Sequence, residues 1–292
     1  MQKTTPMDIA LWLLLAAVWS SSYTVIKIGL TTLDPSIFVA CRNLSGAIAI
    51  YLVLKLRGQS LSRKPSDWGV YAITGLLGSA LPFLLITFGE QSVDSALAAI
   101  LMGATPVITL LLVAWFIPQE PLTKRHAIGV IGGLLGVAIL VGPAALSGLG
   151  AQLGGQAAII AATLCYAATT IFVRRFVTRP PLEMAAGSMI VGTVFLGTFA
   201  ALSGGDIGTI QPTLSSLGAI LYLGLLSTAC ANLIFFHLVP RLGATRMAQI
   251  NFAVPVGGAL LGVLLLGEAL TGQQLMALLL IIGSVYLGTS KG

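Results

Sequence analysis

The chain consists almost entirely of long apolar stretches separated by short polar connections. A helix needs about 20 residues to cross the hydrocarbon core of a membrane. Stretches of this length can be marked at residues 8–29, 35–56, 68–88, 94–116, 125–142, 153–174, 182–202, 213–238, 244–266 and 271–289. The connections between them are too short for a soluble domain. The pattern therefore predicts an all-α polytopic membrane protein with ten transmembrane helices.

The amino-acid composition agrees with this class. The 292 residues are 57% hydrophobic and only 8% charged, whereas soluble domains are about 25% charged. The net charge of +6 comes from basic residues scattered singly or in pairs, without the basic stripe typical of nucleic-acid binding. The three cysteines lie far apart, a spacing that indicates neither disulfides nor a metal site. We expect a lipid bilayer around the chain, no cofactor and no nucleic acid.

The distribution of lysine and arginine predicts the orientation of the chain. Basic residues concentrate at the cytoplasmic ends of membrane helices. With the N-terminus inside, all 15 basic residues except Lys27 and Arg42 fall at cytoplasmic ends. Lys27 lies near the outer end of the first span, where its side chain can extend to the interface. The sequence therefore predicts a protein of a bacterial-type cytoplasmic membrane, with both termini in the cytoplasm.

The chain also contains an internal repeat. Shifted by 149 residues, residues 101–112 align with 250–261, and Pro106 falls on Pro255. Each half holds five predicted spans, an odd number, so the two halves are expected to insert with opposite orientations. Inverted repeats of this kind are typical of secondary transporters, whose substrate site lies near the midplane between the repeats. The predicted repeats are residues 1–147 and 148–292.

Several short motifs resemble those of a known family. These are Trp-Ser-Ser-Ser-Tyr at residues 19–23, Pro35 with Arg42 seven residues later, and Glu-x-Leu-Thr at residues 120–123 and 268–271. With the five-plus-five pattern, they are similar to the EamA-type proteins of the drug/metabolite transporter superfamily, and most similar to the YddG-type amino-acid exporters. The resemblance covers essentially the whole chain. It implies outward transport of amino acids, aromatic ones among them, through a central cavity.

The first and sixth spans carry matched aromatic and hydroxyl residues. Trp19 and Tyr23 share one helix face because they lie four residues apart. A shift of 147 residues places them on Tyr166 and Thr170. Flat apolar surfaces with a few hydrogen-bonding groups suit a small-molecule site, and helix packing is the alternative.

Amide side chains in the eighth and ninth spans suggest further cavity positions. Asn232, Gln249 and Asn251 need polar partners inside the membrane, in a neighbouring helix or in a cavity. Phe83 and Met102 are the repeat counterparts of Asn232 and Asn251. The predicted cavity residues are Trp19, Ser22, Tyr23, Phe83, Met102, Tyr166, Thr169, Thr170, Asn232, Phe235, Gln249 and Asn251.

Arg42 and the two matched prolines allow two interpretations each. An arginine at the centre of a membrane helix costs about 2.5–3.5 kcal/mol on insertion scales. Arg42 could bind a substrate carboxylate, but we expect it to pair with backbone carbonyls or to extend outward from a peripheral helix. Proline inside a helix costs about 3 kcal/mol. Pro106 and Pro255 could therefore act as hinges, or as static kinks that shape the cavity.

Several classes of function are disfavoured. All nine acidic residues fall at or near span ends, so no mid-membrane carboxylate is available for proton coupling. The chain lacks a phosphate-binding G-x-x-x-x-G-K-[ST] loop. It has only two histidines, too few polar groups at depth for an enzyme.

Glycines four apart, such as Gly132 and Gly136, indicate close helix contacts within the chain or in a homodimer, and the sequence does not decide between them.

The favoured hypothesis is a secondary transporter that exports amino acids or similar small metabolites by alternating access. The alternative is an exporter of nucleobases, drugs or other amphipathic metabolites. A purely structural or receptor protein would leave the inverted repeat unexplained.

Overall fold

The computed structural model describes residues 4–93, 98, 101–117, 123–141, 152–203, 213–257 and 271–289, which form helices joined by short connections, with no strand among them. The helices are α1 Pro6–Gly29, α2 Pro35–Leu56, α3 Pro65–Gly89, α4 Thr105–Phe116, α5 Lys124–Val141, α6 Leu153–Phe176, α7 Pro181–Leu202, α8 Leu214–Leu242, α9 Ala244–Ala248 and α10 Gly272–Thr289. Residues 250–257 are also helical. The predicted all-α class is confirmed for this part of the chain.

Among these residues, six helices are long and apolar enough to cross a membrane: α1, α2, α3, α6, α7 and α8. Shorter apolar helices occupy parts of the predicted spans at residues 94–116 and 271–289. The predicted count of ten crossings therefore stays a prediction. The Glu-x-Leu-Thr motifs at residues 120–123 and 268–271 lie outside the described residues, apart from the final threonine of each.

Polar caps and prolines determine where several helices begin. The Thr5 side chain accepts a hydrogen bond from the backbone N–H of Asp8, and the Asp8 carboxylate accepts one from the backbone of Thr5. This reciprocal arrangement satisfies N–H groups at the start of α1. Asp34 caps α2, which has Pro35 in its first turn. Proline is tolerated there because the first-turn N–H groups have no partner inside the helix.

Two of the membrane-length helices contain a π-helical segment. In α3 it covers Leu76–Ala80, and in α8 it covers Leu223–Cys230. The 149-residue shift that aligns the halves superposes these segments in the sequence. π-Helical turns widen the helix locally and often occur at functional sites. The same irregularity thus recurs at the same position of both halves.

Close backbone contacts join α2 to α8 at the π-helical segment of α8. A Cβ atom added to Gly224 would lie 2.6 Å from the carbonyl oxygen of Arg42 and 3.2 Å from the backbone nitrogen of Gly46. Only glycine permits this approach, because any side chain would overlap the backbone of the neighbouring helix. The helix from the first half is therefore packed directly on the second half.

An equivalent crossing joins α7 to α3. A Cβ atom added to Gly75 would overlap the carbonyl oxygen of Ser188 and lie 3.2 Å from the backbone nitrogen of Gly192. Gly75 is the repeat counterpart of Gly224. A shift of 146 residues aligns Arg42 and Gly46 of α2 with Ser188 and Gly192 of α7. Two matching glycine crossings thus interlock the halves.

The glycines of α5 are used in contacts within the chain. Gly132 packs against Ser284, and Gly136 packs against Ile281, both on α10. Gly133 faces the ring of Phe252. Gly132 and Gly136 therefore serve the packing of α5 on α10, and Gly133 serves its packing on the segment that holds Phe252.

Pro106 does not interrupt a helix, contrary to the expectation from the sequence. α4 begins at Thr105 after a turn at Gly103 and Ala104, so Pro106 lies in the first turn of the helix. The cost of an interior proline does not apply at such a position. The Thr105 hydroxyl donates to the carbonyl of Met102 across the turn at 2.7 Å. Pro255, in contrast, lies within helical residues 250–257.

Candidate functional site

A cavity of about 90 Å³ lies among α1, α2, α3, α4, α6, α8 and α9. That volume is enough for several water molecules or a small organic group. Its surface is mainly apolar, with a few hydroxyl and amide groups. It is lined by Trp19, Ser22, Ile26, Arg42, Phe83, Ile86, Thr87, Met102, Thr105, Tyr166, Thr170, Phe235, Met247, Ala248, Ile250, Asn251 and Val254. We refer to this space as the main cavity.

A smaller second cavity adjoins the main one. Both cavities are lined by the same four aromatic side chains, Trp19, Phe83, Tyr166 and Phe235. The second cavity also borders the π-helical segments of α3 and α8. Its remaining lining residues are Thr74, Gly78, Thr169, Ser227, Asn232 and Phe236. These four aromatic side chains therefore belong to the boundary of both cavities.

The structure brings together most of the residues that the sequence suggested. Apart from Tyr23 and Gln249, every predicted cavity residue lines one of the two cavities. The side chain of Tyr23 lies outside the described residues. Gln249 is completely buried and is absent from both linings. It occupies the turn after α9, which directs Ala248 and Asn251 toward the main cavity instead.

Repeat-related positions line the main cavity together. Trp19 and Tyr166 both line it, as do Met102 and Asn251. Each pair occupies the same place in its own half of the chain, with shifts of 147 and 149 residues. The cavity is therefore built where the two halves meet.

Several hydroxyl and amide groups of the lining donate hydrogen bonds within the protein. Ser22 donates to Val18 O at 3.1 Å, its Oγ also lies 3.0 Å from Ser227 Oγ, and Thr170 donates to Tyr166 O at 2.8 Å. Asn251 Nδ2 donates to Ala248 O at 3.0 Å. These bonds leave the oxygen lone pairs of Ser22, Thr170 and Asn251 available to accept from a ligand, and the second N–H of the Asn251 amide available to donate.

Arg42 supplies a positive charge on another part of the wall. Its side chain is buried, with 4% of its surface exposed, and its Nε donates to Thr228 Oγ1 at 3.0 Å. Its guanidinium carbon lies 4.0 Å from the centre of the Phe83 ring, a distance suited to a cation–π contact. The expectation that Arg42 binds backbone carbonyls or extends outward was therefore wrong. Close packing of α2 against α7 and α8 turns the arginine inward.

Several lining residues had escaped sequence reasoning. Thr87, Thr105 and Ser227 line the cavities, and Thr228 orients Arg42. Hydroxyl residues are common in membrane helices and carry no distinctive spacing. Ser227 is the repeat counterpart of Gly78, and both line the second cavity. A comparison of repeat-related pairs could therefore have suggested it.

A buried ion pair lies at the opposite end of α1 from Ile26, which lines the main cavity. Asp8 Oδ1 lies 2.7 Å from Arg241 Nε, and Asp8 Oδ2 lies 3.0 Å from Arg241 Nη2. His237 Nε2 is 3.9 Å from Asp8 Oδ1. Nearby, Trp12 Nε1 donates to the carbonyl of Arg246 at 3.3 Å. The contacts of Asp8 join the beginning of α1 to the end of α8. Charge-assisted pairs with two parallel bonds are among the stronger polar contacts.

Apolar helices surrounding a central, aromatic-lined cavity define a membrane protein with a site for a small molecule. The EamA-like transporter family model matches residues 7–142 and again residues 153–289. The chain belongs to this family and is an integral membrane transporter.

Known relatives extend over nearly the whole chain. A protein of Salmonella typhimurium named a probable amino-acid metabolite efflux pump is 29% identical, with 94% of this chain and 92% of the relative aligned. The inner membrane transporter YedA of Escherichia coli K12 is 28% identical, with 93% and 87% aligned. A solved crystal structure matches with a TM-score of 0.81 at 21% identity and covers 98% of each chain. That structural match supports the fold alone.

Proposed function

We propose that the protein is a secondary transporter that exports amino acids, aromatic and other neutral ones among them, or similar small metabolites. The main cavity carries the proposal. Its lining combines a buried guanidinium, hydroxyl and amide oxygens, and aromatic surfaces. An amino acid has the matching groups: a carboxylate that accepts, an ammonium that donates and a side chain to be packed. The name of the Salmonella relative points to the same class of substrate.

The proposed architecture has ten membrane crossings, arranged as two inverted five-helix repeats over residues 1–147 and 148–292. Two successive matches to the family model support a repeat. The π-helical segments and the glycine crossings, which recur at corresponding positions, support it from the packing. Five crossings per half would invert the second copy. The distribution of basic residues favours cytoplasmic termini, and the name of the Escherichia coli relative favours the inner membrane.

Transport would proceed by alternating access to the central cavity, with Pro106 and Pro255 as candidate hinges. Both prolines belong to helical segments whose residues line the cavity. Movement of either segment would therefore change the shape of the site.

Transport by purified protein in liposomes tests the proposal. We expect saturable flux of labelled phenylalanine or leucine, reduced by unlabelled neutral amino acids. Met102→Trp should block this flux by filling the cavity, whereas Leu111→Trp, on the exposed side of α4, should not. If only nucleobases or amphipathic drugs compete or move, the alternative substrate class is correct. Absence of saturable flux for every amino acid would refute amino-acid export.

A further inference from the structure

The guanidinium of Arg42 has hydrogen-bonding capacity that the described residues leave unused. An arginine side chain carries five N–H donors. Its Nε is bonded to Thr228, while Nη1 and Nη2 have no acceptor in the described part of the chain. The residue borders the main cavity and its side chain is almost fully buried. Two charged donor groups therefore remain for a molecule in the cavity.

The fold itself does not need a cation at this position. Arg42 lies at the crossing of α2 with α8, where its carbonyl oxygen faces Gly224. At the equivalent crossing in the other half, Ser188 takes its place and its carbonyl faces Gly75 in the same way. The serine hydroxyl is satisfied locally by Ala185 O at 3.2 Å. One crossing is thus made without any charge, so the packing of the helices does not explain the arginine.

The electrostatics of the cavity favour an anion beside Arg42. No aspartate or glutamate belongs to the linings of the two cavities as described. Glu90 is close enough to interact electrostatically with Arg42, but no ion pair joins the two side chains among the contacts of the described residues. A positive charge in apolar surroundings attracts anions strongly, because the low local dielectric weakens screening.

The surroundings of the guanidinium hold it in one orientation. The Phe83 ring covers its face at 4.0 Å, and Thr228 fixes one edge through Nε. The outer edge, formed by Nη1 and Nη2, is left for a ligand. This edge matches the two oxygens of a carboxylate, which arginine binds through two parallel hydrogen bonds.

We infer that Arg42 binds the carboxylate group of the transported molecule. Phe83 and Thr228 position the guanidinium, and the apolar remainder of the molecule packs between Trp19 and Tyr166. The inference rests on the proposed transport function and narrows it to substrates that contain a carboxylate. It also makes the site asymmetric, because the other half has no basic residue at the matching position.

A series of related ligands tests the inference on the unmodified protein. Phenylalanine, 3-phenylpropionate, phenylalaninamide and phenethylamine share one aromatic ring but differ in the presence of a carboxylate. Binding to the purified protein is measured by calorimetry. We expect the first two to bind at least about tenfold more tightly than the last two, which corresponds to about 1.4 kcal/mol. Equal affinities across the series would overturn the inference.

Variants of Arg42 give a second, independent test. Arg42→Gln removes the charge and should abolish the preference for carboxylates, while Arg42→Lys should keep part of it. Arg57→Gln is the matched control, because Arg57 is exposed at the end of the same helix. Thr228→Val should weaken carboxylate binding by less than Arg42→Gln, since it only frees the guanidinium to rotate. A preference that survives in Arg42→Gln, in protein that remains folded, would refute the assignment.

The two proposals can fail separately. Flux of an amino acid or drug with no dependence on a carboxylate would refute the role of Arg42 and leave transport intact. If nothing moves across the liposome membrane but carboxylates still bind at Arg42, the proposed transport function fails instead.

Discussion

Two tryptophans of this chain occupy opposite environments. Trp19 lines both cavities in the interior, whereas Trp115 on α4 is 82% exposed at the surface of the chain. Burying a large apolar side chain against a ligand contributes about 1.5–3 kcal/mol. The exposed ring can contribute to contacts with lipid but cannot reach a molecule in the cavity.

Trp19→Ala should therefore weaken substrate binding by about tenfold or more and leave folding largely intact. Trp115→Ala, the matched control, should leave affinity unchanged. Calorimetric titration of both variants with the transported compound provides the measurement. If the two substitutions weaken binding equally, Trp19 does not contact the substrate.

Individual cavity residues differed in how well the sequence predicted them. Trp19 and Tyr166 could be predicted because the repeat pairs them on matching helix faces. Gln249 could not, because the chain leaves the helical path at that residue and its side chain is buried outside both cavity linings. Arg42 was misjudged for another reason: its inward direction depends on how α2 packs, which a single span does not reveal.

At the scale of helices, the glycine crossings are the contacts most sensitive to substitution. A methyl group on Gly224 would lie 2.6 Å from the carbonyl oxygen of Arg42, well inside van der Waals contact. Overpacking of this kind costs about 1–3 kcal/mol when the neighbours have to move. Gly218 lies on the same helix, and a methyl group there would have no atom within 4 Å.

Gly224→Ala should lower the thermal stability of the purified protein, while Gly218→Ala should preserve or raise it. The second change also replaces glycine with a better helix former. Thermal unfolding in detergent, followed by circular dichroism, compares the variants. Equal melting temperatures would mean that the α2–α8 crossing tolerates separation.

Helix limits could be predicted from prolines and caps, but the irregularities inside helices could not. The predicted span from residue 35 begins where Asp34 caps α2 and Pro35 occupies its first turn. The π-helical segments carry no proline and no distinctive composition, so the apolar pattern continues through them unchanged. The position of Pro106 was recognised, but its role differs because the turn before α4 converts an interior position into a helix start.

The turn at Gly103 and Ala104 before α4 leads to a prediction for Pro106→Ala. Alanine would allow residues 101–116 to join into one continuous helix, since it restores a backbone N–H and relieves the clash with the preceding turn. We expect transport to slow severalfold, with little loss of thermal stability. Liposome flux and melting temperature are measured together. Unchanged flux would show that the break before α4 only shapes the cavity.

At the scale of the whole molecule, the two ends differ. Ile26 and Thr87 extend the main cavity toward one end of α1 and α3. At the other end, about 27 Å along α1 at 1.5 Å per residue, Asp8 and Arg241 join α1 to α8. Arg174 Nη1 adds a bond to the carbonyl of Pro240 at 3.0 Å. In the proposed orientation, this fastened end faces the cytoplasm, and we propose that it closes the cavity on that side.

The inside-closed interpretation makes Asp8 and Arg241 part of a gate. Asp8 is 1% exposed, and losing Arg241 would leave this buried carboxylate only the hydrogen bonds from Thr5 and the more distant His237, which destabilises the closed arrangement. Arg241→Gln should therefore favour opening on the cytoplasmic side. Thr74, which lines the second cavity, offers a reporter position there when replaced by cysteine in a background without the native cysteines.

We expect a membrane-impermeant thiol reagent, applied from the cytoplasmic side, to label Thr74→Cys about tenfold faster when Arg241→Gln is also present. That factor corresponds to a shift of about 1.4 kcal/mol toward the open state. Exchanging the charges, as Asp8→Arg with Arg241→Asp, should restore slow labelling, and Arg57→Gln should have no effect. If labelling stays slow in Arg241→Gln, this ion pair does not hold the gate, and closure depends on the apolar packing of α1 against α8.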